Sequence, residues 1–197
     1  MAETHRDYFN RLAMDWEARM PGRPDFRDYL KEFNVGKGER ILDIGAGTGR
    51  MTRFLGEFSG RDGCVVAQDI AERMLSESRK ISGNGSIHHC CEDVMNLAYR
   101  ERSFDKILCF CAFPHFQDKP RALSEMARVL KPGGRLLILH TDSSERLNAF
   151  HATLAAPVNR DRLPGIVRIR ELFGRTGLVP VRMEESDSLY WAEGEKP

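Results

Sequence analysis

The sequence predicts an α/β protein built on a doubly wound, mostly parallel sheet with helices on both faces. Three observations carry this. From Arg40 onward, short apolar runs alternate with stretches of helical period, the pattern of strands joined by crossover helices. A glycine-rich loop, Gly45-Ala46-Gly47-Thr48-Gly49, stands between the first apolar run and the first helical stretch. The last two apolar runs read as a hairpin, which adds one antiparallel strand. A chain of 197 residues, 41% hydrophobic and 30% charged, suits one domain with its own core. That domain is expected to span 1–197, with a helical lid over 1–39 and the α/β core over 40–197.

The elements follow in order. His5 to Arg19 reads as an amphipathic helix with Tyr8, Leu12 and Trp16 on one face. Pro21, Gly22 and Pro24 break it, and a second helix runs from Asp25 to Phe33. Strands are expected at 41–44, 64–68, 86–91, 106–111 and 135–140. Helices are expected after Met51 and over 71–80, then around the stripe Leu123, Met126, Ala127 and Leu130. Lys131-Pro132-Gly133-Gly134 stops that helix and makes a turn. Further helices at 144–155 and 166–176 precede strands at 179–185 and 188–192.

Lys and Arg number 30 and Asp and Glu 29, a net charge of +1 with the signs interspersed. That balance argues against a nucleic-acid partner, which calls for a basic excess. No apolar run approaches the roughly 18 residues of a membrane span, and the polar start MAETHRDYFN is no signal peptide. Five cysteines, an odd number lying mostly in strands, point to reduced thiols and a cytoplasmic setting. His88-His89-Cys90-Cys91 and Cys109-Phe110-Cys111 lack metal-ligand spacing and split across strand faces, so no metal is expected there. A monomer or homodimer is expected.

In sheets of this class, ligands bind beyond the carboxyl ends of the strands. The glycine loop follows Asp43, and position 50, where a dinucleotide fingerprint places a third glycine, is Arg. An anion before the turn repels a pyrophosphate and suits a cationic ligand such as S-adenosyl-L-methionine (SAM). Asp69 ends the second strand 26 residues later and can accept ribose hydroxyls; Glu92-Asp93-Val94 ends the third. The competing reading is that these acids only cap the helices that follow.

Together with Ser103-Phe104-Asp105 and Arg128-Val129-Leu130-Lys131-Pro132-Gly133-Gly134, these residues resemble the class I SAM-dependent methyltransferases over about 41–139, especially the ubiquinone-biosynthesis-like, small-molecule subgroup. The resemblance implies a Rossmann-like seven-stranded sheet of order 3-2-1-4-5-7-6 and methyl transfer from SAM to a small molecule. It implies that Asp43, Gly45, Ala46, Gly47 and the backbone at Phe110 surround the methionine part, that Asp69 holds the ribose, and that Ile70, Met74, Asp93 and Val94 meet the adenine. Tyr8-Phe9-Asn10 resembles the aromatic start of the family's lid helix, which places Tyr8 over the cofactor. The sequence departs from the family at Gln68, where Gly or a hydrophobe is usual, and at His115, the only match to a pair of adjacent histidines.

On the acceptor side, His115 follows the fourth strand and His140 ends the fifth; both are candidates for catalysis and substrate contact, since histidine titrates near neutrality. His151 and Arg146, on the next helix, are further substrate candidates, although Asp142 or Ser143 capping that helix is the plainer role for the segment. Two other classes stay open beside the enzyme: a non-catalytic SAM- or partner-binding module, and a nucleotide-dependent oxidoreductase.

Overall fold

The structure, a computed structural model, describes residues 3–19, 26–81 and 86–197. The expected breakers Pro21, Gly22 and Pro24 and the helix start at Asp25 lie outside these. The elements run α1 (His5–Leu12), α2 (Trp16–Arg19), α3 (Arg27–Glu32), β1 (Arg40–Ile44), α4 (Thr52–Ser59), β2 (Cys64–Asp69), α5 (Glu72–Ile81) and β3 (Ile87–Cys91). They continue β4 (Phe104–Phe110), α6 (Lys119–Val129), β5 (Leu130–His140), α7 (Ser144–Ala152), α8 (Ile166–Arg175), β6 (Val179–Ser186) and β7 (Leu189–Glu195). One seven-stranded sheet has the order β3-β2-β1-β4-β5-β7-β6, as the family resemblance implied. β1 to β5 pair in parallel, and β7 runs antiparallel between β5 and β6.

Alternation along the central strands fills both faces. Leu42 and Ile44 of β1, Ile107 of β4 and Leu136 and Ile138 of β5 pack with Leu123 and Met126 of α6 and Ile169 and Phe173 of α8. Ile41, Leu108, Leu137 and Leu139 point the other way, onto Leu30 and Phe33 beside α3 and Phe54 and Leu55 of α4. Helices on both faces leave ligand access only at the sheet's carboxyl edge. Among the described residues, no helix is long and apolar enough to cross a membrane.

Several boundaries differ from the sequence expectation, among them the ends of α7 at Ala152 and of β7 at Glu195. The first helix is interrupted by a 3-10 turn at Ala13–Asp15, and this tighter winding brings Ala13 and Trp16, with Phe9, onto Ala71 and Met74. β4 ends at Phe110; Cys111 takes a left-handed φ of 52° while its N–H still reaches the Leu139 carbonyl at 3.0 Å. Lys131-Pro132-Gly133-Gly134 does not separate helix from strand. β5 pairs Leu130 with Phe104 and then Arg135 with Lys106, so the four residues form an irregularity inside the strand, tied by Gly133 N–H to the Lys196 carbonyl at 2.7 Å.

Arg128 shows why its run matters to the fold. Its guanidinium donates to both oxygens of the buried Glu125 carboxylate, at 2.9 and 2.8 Å, and to the carbonyls of Leu97 and Tyr99. Glu125 in turn accepts from Leu97 N–H at 3.0 Å. The pair fastens the loop between β3 and β4 onto α6. Arg128→Met strands a buried carboxylate and is expected to cost roughly 3 kcal/mol. The double variant Arg128→Met/Glu125→Gln recovers most of that in urea unfolding; an unchanged midpoint for the single variant contradicts the assignment.

Candidate functional site

The parallel register sets the carboxyl ends of β1, β2 and β4 side by side, with Ile44 opposite both Gln68 and Cys109. Asp43, one residue before the end of β1, is 1% exposed. The Thr52 hydroxyl of α4 donates to its side chain at 2.6 Å. Burial pushes the carboxyl up to about 7; Thr52 opposes the rise and Asp69 adds to it. The loop then turns at Gly45, where a Cβ would lie 2.3 Å from that of Ala112, so the chain leaving β4 admits only glycine there. Gly47 N–H donates to Asp69 Oδ2 and Ala71 N–H to Asp69 Oδ1, each at 2.8 Å. Burial raises the Asp69 carboxyl to about 6 even against these backbone donors.

Gln68, noted in the sequence only as a departure, joins three strand ends. Its side chain donates to the Glu92 carbonyl and accepts from Gly45 N–H at 3.4 Å, while its own carbonyl accepts from Ala46 N–H at 2.9 Å. Asp93 caps the 3-10 turn Val94–Asn96 by accepting from Met95 N–H, which is the capping role weighed against ligand contact; the Val94 side chain is in the core. Ile70 is half-buried, and Phe110 meets Phe26 edge to face at 4.9 Å.

The N-terminal helices lie over this edge. Asn10 accepts from Arg73 N–H and donates to Glu72, which Arg6 also holds. Glu17 of α2 accepts from the Thr48 hydroxyl and from Arg50 Nε at 3.1 Å, tying the lid to the glycine loop. Arg50 Nη2 is buried with no hydrogen-bond partner. Met74 sits beneath Ala13 among Phe9 and Trp16. Tyr8, expected over the cofactor, packs with Leu12 and Val158, and Phe9 and Trp16 pack both against that group and onto Ala71 and Met74.

On the other side of the lid, four histidines gather. His115 Nδ1 lies 2.6 Å from Asp161 Oδ2, and His5 Nε2 lies 2.9 Å from both Asp161 oxygens. The rings of His115 and His151 are 5.1 Å apart, and His151 Nδ1 faces the Asp161 carbonyl at 3.4 Å. Burial alone would raise Asp161, yet the hydrogen bonds from His115 and His5 hold it at about 2. His140 is 1% exposed with both ring nitrogens unpartnered. Burial, then His115 and His151, lowers it to about 3, so His140 does not titrate near neutrality as a free histidine does. Arg146 does not join the group: it is exposed, pairs with Asp142 at 3.2 Å, and its N–H is capped by Ser143. Asp161 and His5 were not picked out from the sequence, where nothing local links them to His115.

The five cysteines are free. Burial holds the Cys109 thiol well above its usual range and keeps it protonated.

Residues 42–138 match the family model of a methyltransferase domain. Over 106 residues the chain is 41% identical to a ubiquinone/menaquinone biosynthesis C-methyltransferase, UbiE, of Vibrio parahaemolyticus, covering 52% of this chain and 41% of that protein. A protein of the same description from Pseudoalteromonas translucida is 34% identical over 123 residues, covering 60% and 49%. The chain thus spans less than half the length of these relatives. Among solved structures, a SAM-dependent methyltransferase from Aquifex aeolicus superposes with a TM-score of 0.76 at 21% identity over 92% of this chain and 96% of that one. Magnesium protoporphyrin IX methyltransferase from Synechocystis, solved with bound SAH, gives 0.74 at 19% identity over 98% of each.

The unfolded chain loses the Asp43 proton near 3.8, whereas the folded chain keeps it to about 7, so this residue's contribution weakens folding as pH rises through that window. Asparagine can keep the Thr52 hydrogen bond without ionising. Asp43→Asn is expected to melt with the wild type near about pH 4 and above it near about pH 8. Equal melting temperatures at the higher pH contradict the buried-acid reading.

Proposed function

We propose that this chain, whose residues 42–138 match the family model of a methyltransferase domain, is of the class I SAM-dependent type and transfers the SAM methyl group to a small acceptor bearing negative charge. The observation that carries the reading is the pair of buried carboxylic acids, Asp43 and Asp69, at the mouth of the glycine loop. Such acids suit a ligand with cationic and hydroxyl groups and oppose a pyrophosphate.

The residues present fit SAM. Asp43, Gly45, Ala46, Gly47 and the backbone at Phe110 would hold the methionine part, and the unpartnered Arg50 Nη2 offers a donor for its carboxylate. Asp69 uses one lone pair of each oxygen on backbone N–H groups and retains others for ribose hydroxyls. Ile70, Met74, Asp93 and the Val94 amide would border the adenine, with Phe9 and Trp16 closing that side from the lid, the role we assign to residues 1–39 over the core at 40–197. When bound, SAM supplies a methyl group already activated by its sulfonium, so the chain's own task is alignment and exclusion of water.

The acceptor side is assigned to the histidine group. His140, without a hydrogen-bond partner among the described residues, is the candidate for acceptor contact, with His115 and His151 near it. Arg146 lies on the exposed face of α7. In a cavity of about 530 Å³ bordered by His5, the cations Lys119, Arg160 and Arg162 outnumber the acids Glu3 and Asp161, which supports an acceptor with anionic character. The description of the curated relatives, a C-methyltransferase of ubiquinone and menaquinone biosynthesis, supports a small molecule.

The test is release of S-adenosylhomocysteine from SAM across a panel of phenolic, quinol and carboxylic acceptors; no release with any of them opposes catalysis. Two outcomes follow from the site. A cation beside the loop favours ionised Asp43, so SAM binding releases a proton below about pH 7 and tightens as pH rises to that point. Calorimetry in two buffers of different ionisation heat measures this, and Asp43→Asn removes it. His140→Leu removes two unpartnered buried nitrogens at similar volume. It is expected to keep the melting temperature or raise it, to leave SAM affinity unchanged, and to lower turnover about 10²-fold.

A further inference from the structure

The grouping of His5, His115 and Asp161 is not used by the cofactor side and carries its own chemistry. The three come from separate places: the first turn of the lid helix α1, the 3-10 turn after β4, and the segment between α7 and α8. One donor atom from each lies within 4.8 Å of the other two. We propose that His5, His115 and Asp161 form a two-histidine, one-carboxylate site for a divalent first-row transition ion of the zinc, cobalt or iron(II) kind, which clamps the lid to the core.

Geometry supports this first. His5 Nε2 lies 2.9 Å from either Asp161 oxygen and His115 Nδ1 lies 2.6 Å from Oδ2. An ion about 2.0–2.1 Å from each donor needs the donors about 3.0–3.5 Å apart, so each nitrogen–oxygen pair has to open by less than about 1 Å to admit it. The surroundings support it second. Asp161 is 6% exposed, so the carboxylate is not one of the solvated surface acids that cluster without a ligand. Lys119, the nearby cation, turns its ammonium onto the carbonyls of Pro114 and Phe116 rather than onto Asp161. Arg162 likewise donates to the Asn159 and Asp161 carbonyls.

His5 and Asp161 also border the cavity assigned to the acceptor, which leaves an ion coordination positions open toward it. The donor set, two nitrogens and one oxygen, suits zinc, cobalt and iron(II) over calcium or magnesium. Sequence spacing could not have revealed the site, since its members stand 110 and 46 residues apart. The site shares His115 with the acceptor region, but its test uses neither SAM nor acceptor, so failure here leaves methyl transfer standing and the reverse also holds.

The test is titration of the full chain with cobalt(II), read by visible absorption and by melting temperature. The expected result is one ion per chain, a d–d spectrum without thiolate charge transfer, and a raised melting temperature, since an ion that binds the folded state stabilises it. His5→Ala and Asp161→Asn should each weaken binding by at least the roughly 10–100-fold that loss of an outer-shell partner costs. Circular dichroism verifies that each variant folds; should Asp161→Asn fail, His5→Ala and the wild-type spectrum decide. No cobalt spectrum, binding indifferent to His5→Ala, or a thiolate band that places the ion on Cys90, Cys91, Cys109 or Cys111 overturns the proposal.

Discussion

The structure depends on a carboxylic acid placed where hydrophobic packing would otherwise run on. β1 is the middle strand of the parallel block, with β2 on one side and β4 on the other. Its residues Ile41, Leu42 and Ile44 are fully buried, yet Asp43 stands among them, accepting a hydrogen bond from the Thr52 hydroxyl. Burying a carboxyl this way is costly unless it stays protonated or meets a cation. That constraint shapes the loop that follows. Gly45 must be glycine because the chain leaving β4 presses on it, and Asp69 gathers backbone N–H groups that keep the loop in register with β2. The same arrangement that strains the apo fold prepares it for a positively charged ligand.

The lid divides the sheet's carboxyl edge into two chemical territories. Over the glycine loop it brings Phe9, Trp16 and Glu17, covering buried acids with apolar surface and one ion pair to Arg50. Over the far side it brings His5, which completes the imidazole group around Asp161. A single short helix therefore contributes to both halves, and its position is coupled to whatever occupies either. His140 stands out in this group: among the described residues its two buried ring nitrogens have no hydrogen-bond partner, which is a poor choice for stability.

How much was legible in the sequence follows from the range of each interaction. The alternation of strand and helix, the glycine loop and the acids at 43 and 69 rest on local pattern and on spacing within one strand-helix-strand unit, while the strand order came only from the family resemblance; the fold bears out both. Gln68 was seen only as an exception, because its value lies in partners on β1 and after β3. Asp161 carries no local mark at all; its meaning appears only when α1 and the turn after β4 converge on it. The break at Ala13 depends on packing against α5, which overrides helical periodicity. The Lys131–Gly134 run shows the same limit: its composition reads as a stop, while pairing with β4 and the Lys196 backbone makes it part of a strand.

The cofactor side is the centre of this account, and ligand choice tests it most directly. In titration calorimetry the purified chain should bind SAM with one-to-one stoichiometry and show no heat of binding with a nicotinamide dinucleotide, whose pyrophosphate would face Asp43 and Asp69. Binding of the dinucleotide with SAM ignored would contradict the role given to the buried acids.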